Sequence, residues 1–218
     1  MDFTRLFEPK TMAVIGVSLT NDRHPANVVY YKNHLRYPVN VYPVNPQGGD
    51  IQGEKVYPHL REIPEKVDLA VIAVRAEQVP GIIEECVAAG VGGAAVISGG
   101  FAESGRKDLQ DRLVDIAREA DFPFVGPNCL GLYSPDYVDT FFIPNERVVR
   151  PNLGGVAMVS QSGGAWGHGG GSLLRLRPSG AASVGKRAAA DARKTLAEYP
   201  IHRLCGESCG SHGERRGR

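Results

Sequence analysis

A chain of 218 residues, 42% of them hydrophobic, is long enough for one domain plus part of another and carries the apolar side chains for a real core. Its formal net charge of +1 divides unevenly: residues 1–166 hold 15 Lys and Arg against 20 Asp and Glu, and residues 167–218 hold 10 against 4. No charged segment followed by an apolar one opens the chain, and no apolar run nears the roughly 20 residues that span a bilayer. No membrane role is therefore expected, and four cysteines in so large a chain fit a reducing, cytoplasmic setting better than a disulfide framework.

In chain order, Met12 to Val17 (MAVIGV) is a short apolar run closed by Ser18 and the polar stretch Leu19 to Pro25, which predicts a buried first strand and its loop. Val28, Tyr31 and Leu35 fit one face of a short helix. Val39 to Val44 predicts a second strand, ending in the turn Asn45-Pro46-Gln47-Gly48-Gly49. Val67 to Val74 (VDLAVIAV) is nearly all apolar, the pattern of a strand covered on both faces in a parallel sheet. Arg75 ends it, and Val79, Ile82, Ile83, Cys86 and Val87 define an amphipathic helix closed by Gly90.

The unit repeats between Val91 and Leu132. The runs Ala94 to Ile97 and Phe122 to Val125 lead into the glycine loops Ser98-Gly99-Gly100-Phe101 and Gly126-Pro127-Asn128-Cys129-Leu130-Gly131. Between them, Leu109, Leu113, Ile116, Ala117 and Ala120 fall at helical spacing. Strands alternating with helices in this way predict a Rossmann-like, doubly wound parallel α/β sheet. In such sheets ligands sit beyond the carboxyl ends of the strands, where glycine lets a phosphate approach the backbone.

From Ser134 to Leu153 the pattern weakens into a linker or crossing segment, and Gly154 to Val159 predicts a new buried strand. Residues 167–218 hold ten glycines and eight arginines and no run of four consecutive aliphatics. Ala188 to Tyr199 fits one helix with no sheet to pack against. The expected organisation is a first domain over 1–144, a linker over 145–153, and over 154–218 the incomplete start of a second, flavodoxin-like α/β domain with a partly disordered tail. The Gly, Ala and Arg bias of that tail is what a shifted high-GC reading frame produces, so a truncated or frameshifted second domain is the expectation there.

The strand-end loops collect Ser18, Asn45, Arg75, Ser98, Gly99, Gly100, Phe101, Asn128 and Cys129. Small, polar and non-acidic, they suit a phosphate-bearing ligand with an adenine or pantetheine arm. A nicotinamide dinucleotide is disfavoured: no glycine follows Gly16 before Gly48, and Asn45 and Pro46 stand where an acidic ribose ligand belongs. Cys129 has no activating base in its sequence context and reads as a buried thiol. Ser160 and Ser162 lack a nucleophile elbow, so the likeness of His168-Gly169-Gly170-Gly171 to a lipase oxyanion loop is read as coincidence. His202, Cys205, Cys209 and His212 crowd four ligands into eleven residues, unlike a structural zinc spacing, so no metal is expected. The basic tail has no aromatic residue after Tyr199, and no specific nucleic-acid recognition is expected from it.

Six stretches in order, Pro9 to Ser18, Val41-Tyr42-Pro43-Val44-Asn45-Pro46, Val67 to Val74, Ser98 to Phe101, Gly126 to Gly131 and Val159-Ser160-Gln161-Ser162-Gly163, closely resemble the NDP-forming acyl-CoA synthetases, relatives of the succinyl-CoA synthetase α subunit. The resemblance covers about residues 5–166. It implies a domain that binds coenzyme A across the strand ends, with Gly16, Val17 and Ser18, Asn45 and Pro46, Val74 and Arg75, and Ser98, Gly99, Gly100 and Phe101 holding the nucleotide and pantetheine. Pro127, Asn128 and Cys129 would lie near the thiol. In the family an acyl phosphate and a phosphohistidine carry the phosphoryl group, and a grasp domain or β subunit passes it to a nucleoside diphosphate, so that acyl-CoA, NDP and phosphate give acid, CoA and NTP.

The chain departs from the family in three ways. Arg75 stands where proline is usual, Gly99 where alanine is frequent, and the resemblance ends after Trp166, before the family's catalytic histidine. None of His168, His202 or His212 sits in a matching context, so the chain alone is expected to bind coenzyme A without turnover. Its partners would be CoA or acyl-CoA, a β subunit or ATP-grasp protein, and a second copy of itself. The alternatives are a stand-alone CoA-binding regulatory protein and an NAD(P)-dependent oxidoreductase.

Overall fold

The computed structural model describes residues 3–143 and the backbone of two further strands, 156–160 and 178–183. A single helical turn, α1 (Thr4–Phe7), precedes β1 (Thr11–Ile15), α2 (Pro25–Arg36) and β2 (Asn40–Val44). A two-residue hairpin, β3 (Asp50–Ile51) and β4 (Glu54–Lys55), leads on to β5 (Leu69–Ile72), α3 (Val79–Ala88), β6 (Gly93–Val96), α4 (Lys107–Glu119) and β7 (Phe124–Val125). The large strands form one sheet in the order β2-β1-β5-β6-β7, and every pairing in it is parallel. This is the Rossmann-like arrangement that the alternation of elements predicts.

Parallel strands must be covered on both faces, and the period-two alternation of β side chains divides the apolar residues between them. Met12 and Val14 of β1, Leu69 and Val71 of β5 and Ala95 of β6 join Phe7, Val29 and Tyr30 in one core, on the side of α1 and α2. Ala13 and Ile15, Ala70 and Ile72, and Ala94 and Val96 join Val79, Ile83, Cys86, Leu113 and Ala117 in the other, under α3 and α4. The faces expected of α3 and α4 are the ones packed inward, except that Ala120 follows the last turn of α4 and is exposed.

The expected face of α2 is a correction. Leu35 is 75% exposed, and Val28 and Tyr31 are only half-buried. The buried face carries Ala26, Asn27, Val29, Tyr30, Lys32 and Asn33. The periodicity misleads because half of that face is polar and is matched by polar partners elsewhere. Lys32 Nζ lies 2.8 Å from Asp139 Oδ1, with side chains 3% and 0% exposed, and also donates to the Phe141 carbonyl. Asn33 Nδ2 donates to the Asp139 carbonyl at 2.7 Å while its Oδ1 accepts from the Asp139 amide at 2.9 Å.

Asp139 belongs to a region expected to be irregular, and this too is corrected. β8 (Gly131–Ser134) and β9 (Val138–Asp139) form an antiparallel pair there. β8 also pairs antiparallel with β11 (Pro178–Ser183), which runs parallel to β10 (Val156–Ser160). β10 agrees with the strand expected from Gly154 to Val159. β11, Pro-Ser-Gly-Ala-Ala-Ser, has no aliphatic run to announce it; strand formation there follows from pairing on both sides. The helix expected over 188–199 lies outside the described residues.

Removing one member of a buried ion pair leaves the other charged and unsolvated, which costs about 3–5 kcal/mol. Asp139→Ala is therefore expected to lower the unfolding free energy by about that amount, read as a shift of the urea midpoint at unchanged slope. Leu35→Ala is expected to stay within about 0.5 kcal/mol of the parent.

Candidate functional site

Because the five strands are parallel and in register, the ends of β1, β2, β5, β6 and β7 all open on one edge. Gly16 to Ser18, Asn45 and Pro46, Val74 and Arg75, Ser98 to Phe101 and Pro127 to Cys129 are therefore brought together there. The chain leaves β1 toward β2 on one side and β5 toward β6 on the other, so the connections diverge between β1 and β5. A crevice opens at such a divergence. Gly16 makes the crevice narrow at its base: its φ is +96°, and a Cβ there would stand 2.5 Å from the Ala73 carbonyl oxygen. Only glycine lets the first loop leave β1 this close to β5.

Side chains buried beneath the loops fix their shapes. Asn27 of α2, fully buried, accepts from the Ser18 amide through Oδ1 at 2.7 Å and donates to the Ser18 carbonyl through Nδ2 at 2.8 Å. Ser18 Oγ in turn accepts from the amides of Thr20 and Asn21. His24 caps α2, its Nδ1 accepting from the Ala26 amide at 3.3 Å, and partial burial holds its pKa below the usual histidine value. No acidic residue occupies the first turn of α2, and Asp22, just before the helix, accepts from Tyr31 Oη. Asn45 Nδ2 donates to the Val17 carbonyl at 2.8 Å and its Oδ1 accepts from the Gln47 amide at 2.9 Å, which ties the first loop to the second.

On the other side of the crevice, Ser98 Oγ accepts from the Val74 amide at 3.0 Å and donates to the Ile72 carbonyl at 3.3 Å, joining the ends of β5 and β6. The Asn128 amide donates to the Ser98 carbonyl at 2.8 Å, joining β6 to the loop after β7. Arg75 projects into solvent at the start of a 3-10 turn, Ala76–Gln78. In the loop after β6 the Gly100 and Phe101 amides both donate to Glu103 Oε1, at 2.6 and 3.1 Å.

The fourteen expected site residues divide by burial. Gly16, Ser18, Asn45, Pro46, Val74, Arg75, Gly99, Gly100 and Asn128 reach solvent at the sheet edge, whereas Val17, Ser98, Phe101, Pro127 and Cys129 are buried. Val17 and Cys129 lie in the core beneath α2, and Phe101 in the core beneath α3 and α4. The Phe101 amide and carbonyl are both bonded within the loop, and the Val17 carbonyl accepts from Asn45. Cys129 Sγ donates to the Val96 carbonyl at 3.2 Å, and burial pushes its thiol up to about 12. Sequence reasoning misses Asn27 and Glu103 because neither is at a strand end; Glu103, three residues after Gly100 in the manner of a capping-box glutamate, is the legible one. Among the described residues no group of three or more His, Cys, Asp or Glu is placed to hold a metal ion, and no helix is long and apolar enough to cross a membrane. His168, His202, Cys205, Cys209 and His212 lie outside the described residues.

A family model described as a CoA binding domain matches residues 10–135. An ADP-forming acetate–CoA ligase I of Archaeoglobus fulgidus is 41% identical over 163 residues, 73% of this chain and 23% of that protein. The α subunit of the ADP-forming acetate–CoA ligase I of Pyrococcus furiosus is 38% identical over 174 residues, 75% of this chain and 36% of the subunit. A dinucleotide forming acetyl-coenzyme A synthetase 1 of Ca. Korarchaeum cryptofilum, solved with phosphate and ADP, superposes with a TM-score of 0.77 at 33% identity, covering 92% of this chain and 44% of that one. The chain thus spans about a quarter to a third of the curated relatives it matches.

A thiol titrating at about 12 is thiolate in roughly one molecule in ten thousand at pH 8. In native protein at pH 8, Cys129 and the equally buried Cys86 are expected to resist iodoacetamide and to be alkylated only in guanidinium, as read by peptide mass spectrometry. Alkylation of Cys129 in the folded protein would contradict its placement.

Proposed function

The chain belongs to the CoA binding domain family, and we propose that it binds coenzyme A or acyl-CoA along the carboxyl-terminal edge of its sheet, as the α-type portion of an NDP-forming acid:CoA ligase. The observation that carries this reading is the divergence of the connections between β1 and β5, flanked by short loops that Asn27, Asn45 and Ser98 tie down. The exposed Arg75 supplies positive charge on the far wall. A long, phosphate-bearing ligand fits an edge built from five loops better than a compact one does.

The fourteen expected residues, Gly16 to Ser18, Asn45, Pro46, Val74, Arg75, Ser98 to Phe101 and Pro127 to Cys129, are the proposed site, with the buried Val17, Phe101 and Cys129 shaping its loops from within. None is proposed as catalytic. Cys129 is protonated and buried, so we assign to this edge binding and orientation of the coenzyme, and to a phosphohistidine and an ATP-grasp domain or β subunit the transfer of phosphate to NDP. The division at residue 144, an oligomeric assembly and a cytoplasmic setting belong to the same proposal. The ADP-forming ligases among the relatives favour the ligase over a stand-alone regulatory protein. The use of Asn45 to tie two loops, where a dinucleotide site places an acid, weighs against the oxidoreductase.

Calorimetric titration with CoA, dephospho-CoA, pantetheine and NAD tests the reading: CoA is expected to bind and NAD to give no heat. Tighter binding of NAD than of CoA would overturn it. Arg75→Ala, which removes an exposed cation, is expected to weaken CoA by about tenfold while leaving pantetheine, which has no phosphate, nearly unchanged. Its unfolding midpoint should match that of the parent.

A further inference from the structure

A glycine loop at a strand end offers backbone amides, and amides converging on one point attract an anion. In the loop after β6 that point is already taken. Gly100 has φ +99° and Phe101 has φ −106°, and this change of sign turns their successive amides toward the same side. There they meet Glu103 Oε1 at 2.6 and 3.1 Å. The 3-10 turn Ala102–Ser104 brings the carboxylate back over the loop, and the Ser104 and Arg106 amides close the turn on the Phe101 carbonyl. The chain thus supplies its own anion to this nest.

Gly99 lies between two acceptors. The position of a Cβ on Gly99 would be 3.4 Å from Glu103 Oε1 and 3.2 Å from Asn128 Oδ1. Asn128 is held in the left-handed region, φ 52°, with its amide on the Ser98 carbonyl. The guanidinium of Arg106, the cation that follows the turn, is paired with Glu77 at 2.5 Å. The polar atoms nearest Gly99 are therefore oxygens: a carboxylate on one side and a side-chain carbonyl on the other. A phosphate brought there would meet two acceptors and amides that are already bonded.

We infer that Glu103 is a specificity-determining residue, which closes the Gly100–Phe101 amides to phosphate and makes the loop after β6 a receiver of hydrogen-bond donors. The inference rests on the coenzyme reading above and divides the ligand along the edge. The phosphates lie on the β1 and β5 side, with the α2 terminus and Arg75. An uncharged arm carrying amide N–H groups passes Gly99 between Glu103 and Asn128. Glu103 touches this arm or orders the amides beneath it, and takes no part in bond making.

Amide-resolved NMR of the whole chain tests this, with inorganic phosphate, pantetheine and CoA as probes. In the parent protein the Gly100 and Phe101 amide signals are expected to stay in place during phosphate titration. In Glu103→Ala they should move with phosphate, and pantetheine should weaken by about tenfold, the worth of a hydrogen bond to a charged group. Glu103→Gln, which keeps a neutral acceptor over the amides, should recover most of the pantetheine affinity, and its Gly100 and Phe101 signals should stay in place with phosphate. Phosphate shifts of equal size at Gly100 and Phe101 in parent and Glu103→Ala would overturn the inference, as would equal pantetheine affinity in the two. If Glu103→Ala fails to fold, the parent alone decides it: movement of its Gly100 and Phe101 signals with phosphate would overturn the inference. Failure of the parent to bind CoA would overturn the coenzyme reading instead, and the phosphate comparison would still decide the role of Glu103.

Discussion

The approach of β1 to β5 at Gly16 is the constraint on which the site depends. At the point where the chain turns out of β1, the next strand over presents the Ala73 carbonyl 2.5 Å from where a side chain would begin. Any Cβ would push the two strand ends apart or turn the first loop away from the crevice. Positive φ at the same residue means that the backbone direction and the close approach require the same amino acid. The crevice exists because connections diverge there, but its shape exists because that one position carries no side chain.

Polar side chains, Asn27 and Ser98 buried and Asn45 half-buried, then hold the loops around it. Asn27 grips Ser18 by both its amide and its carbonyl, Asn45 grips Val17, and Ser98 bridges β5 and β6. A buried amide or hydroxyl with its partners satisfied is directional in a way that apolar packing is not, since misalignment exposes an unpaired group to the interior. The same logic operates at the other end of α2. Lys32 and Asn33 fasten the helix to Asp139, 106 or 107 residues away in sequence. α2 is thus braced at its amino end by the loop it caps and at its carboxyl end by the second sheet, so its dipole points at the crevice from a fixed position.

This also explains which parts of the molecule are readable in the sequence. VDLAVIAV and the apolar runs around Met12 and Ala94 are recognisable because a strand buried on both faces has almost no polar residues, and the parallel order follows. α3 and α4 are recognisable because each buries one apolar stripe. α2 is not, because half of its buried face is polar and the partners of Lys32 and Asn33 lie in a segment without a period of its own. β11 is invisible for the related reason that its neighbours, and no aliphatic run, make it a strand. At the site, loop positions are legible and side-chain directions are not: Ser98, Phe101 and Cys129 sit in the expected loop sequences, yet their side chains turn into the protein.

That turning inward bears on the chemistry. An edge whose thiol is covered, and whose residues at the solvent boundary are glycines, Ser18, Asn45, Pro46, Val74, Arg75 and Asn128, is suited to hold and align a ligand. Charge along the edge is also uneven. The β1 and β5 side carries a helix amino terminus and Arg75, while the β6 side carries the Glu103 carboxylate and the Asn128 oxygen. A molecule with phosphates at one end and amide donors along the rest meets complementary chemistry in only one direction. On the coenzyme reading proposed above, such polarity sets which end of the ligand points toward β7.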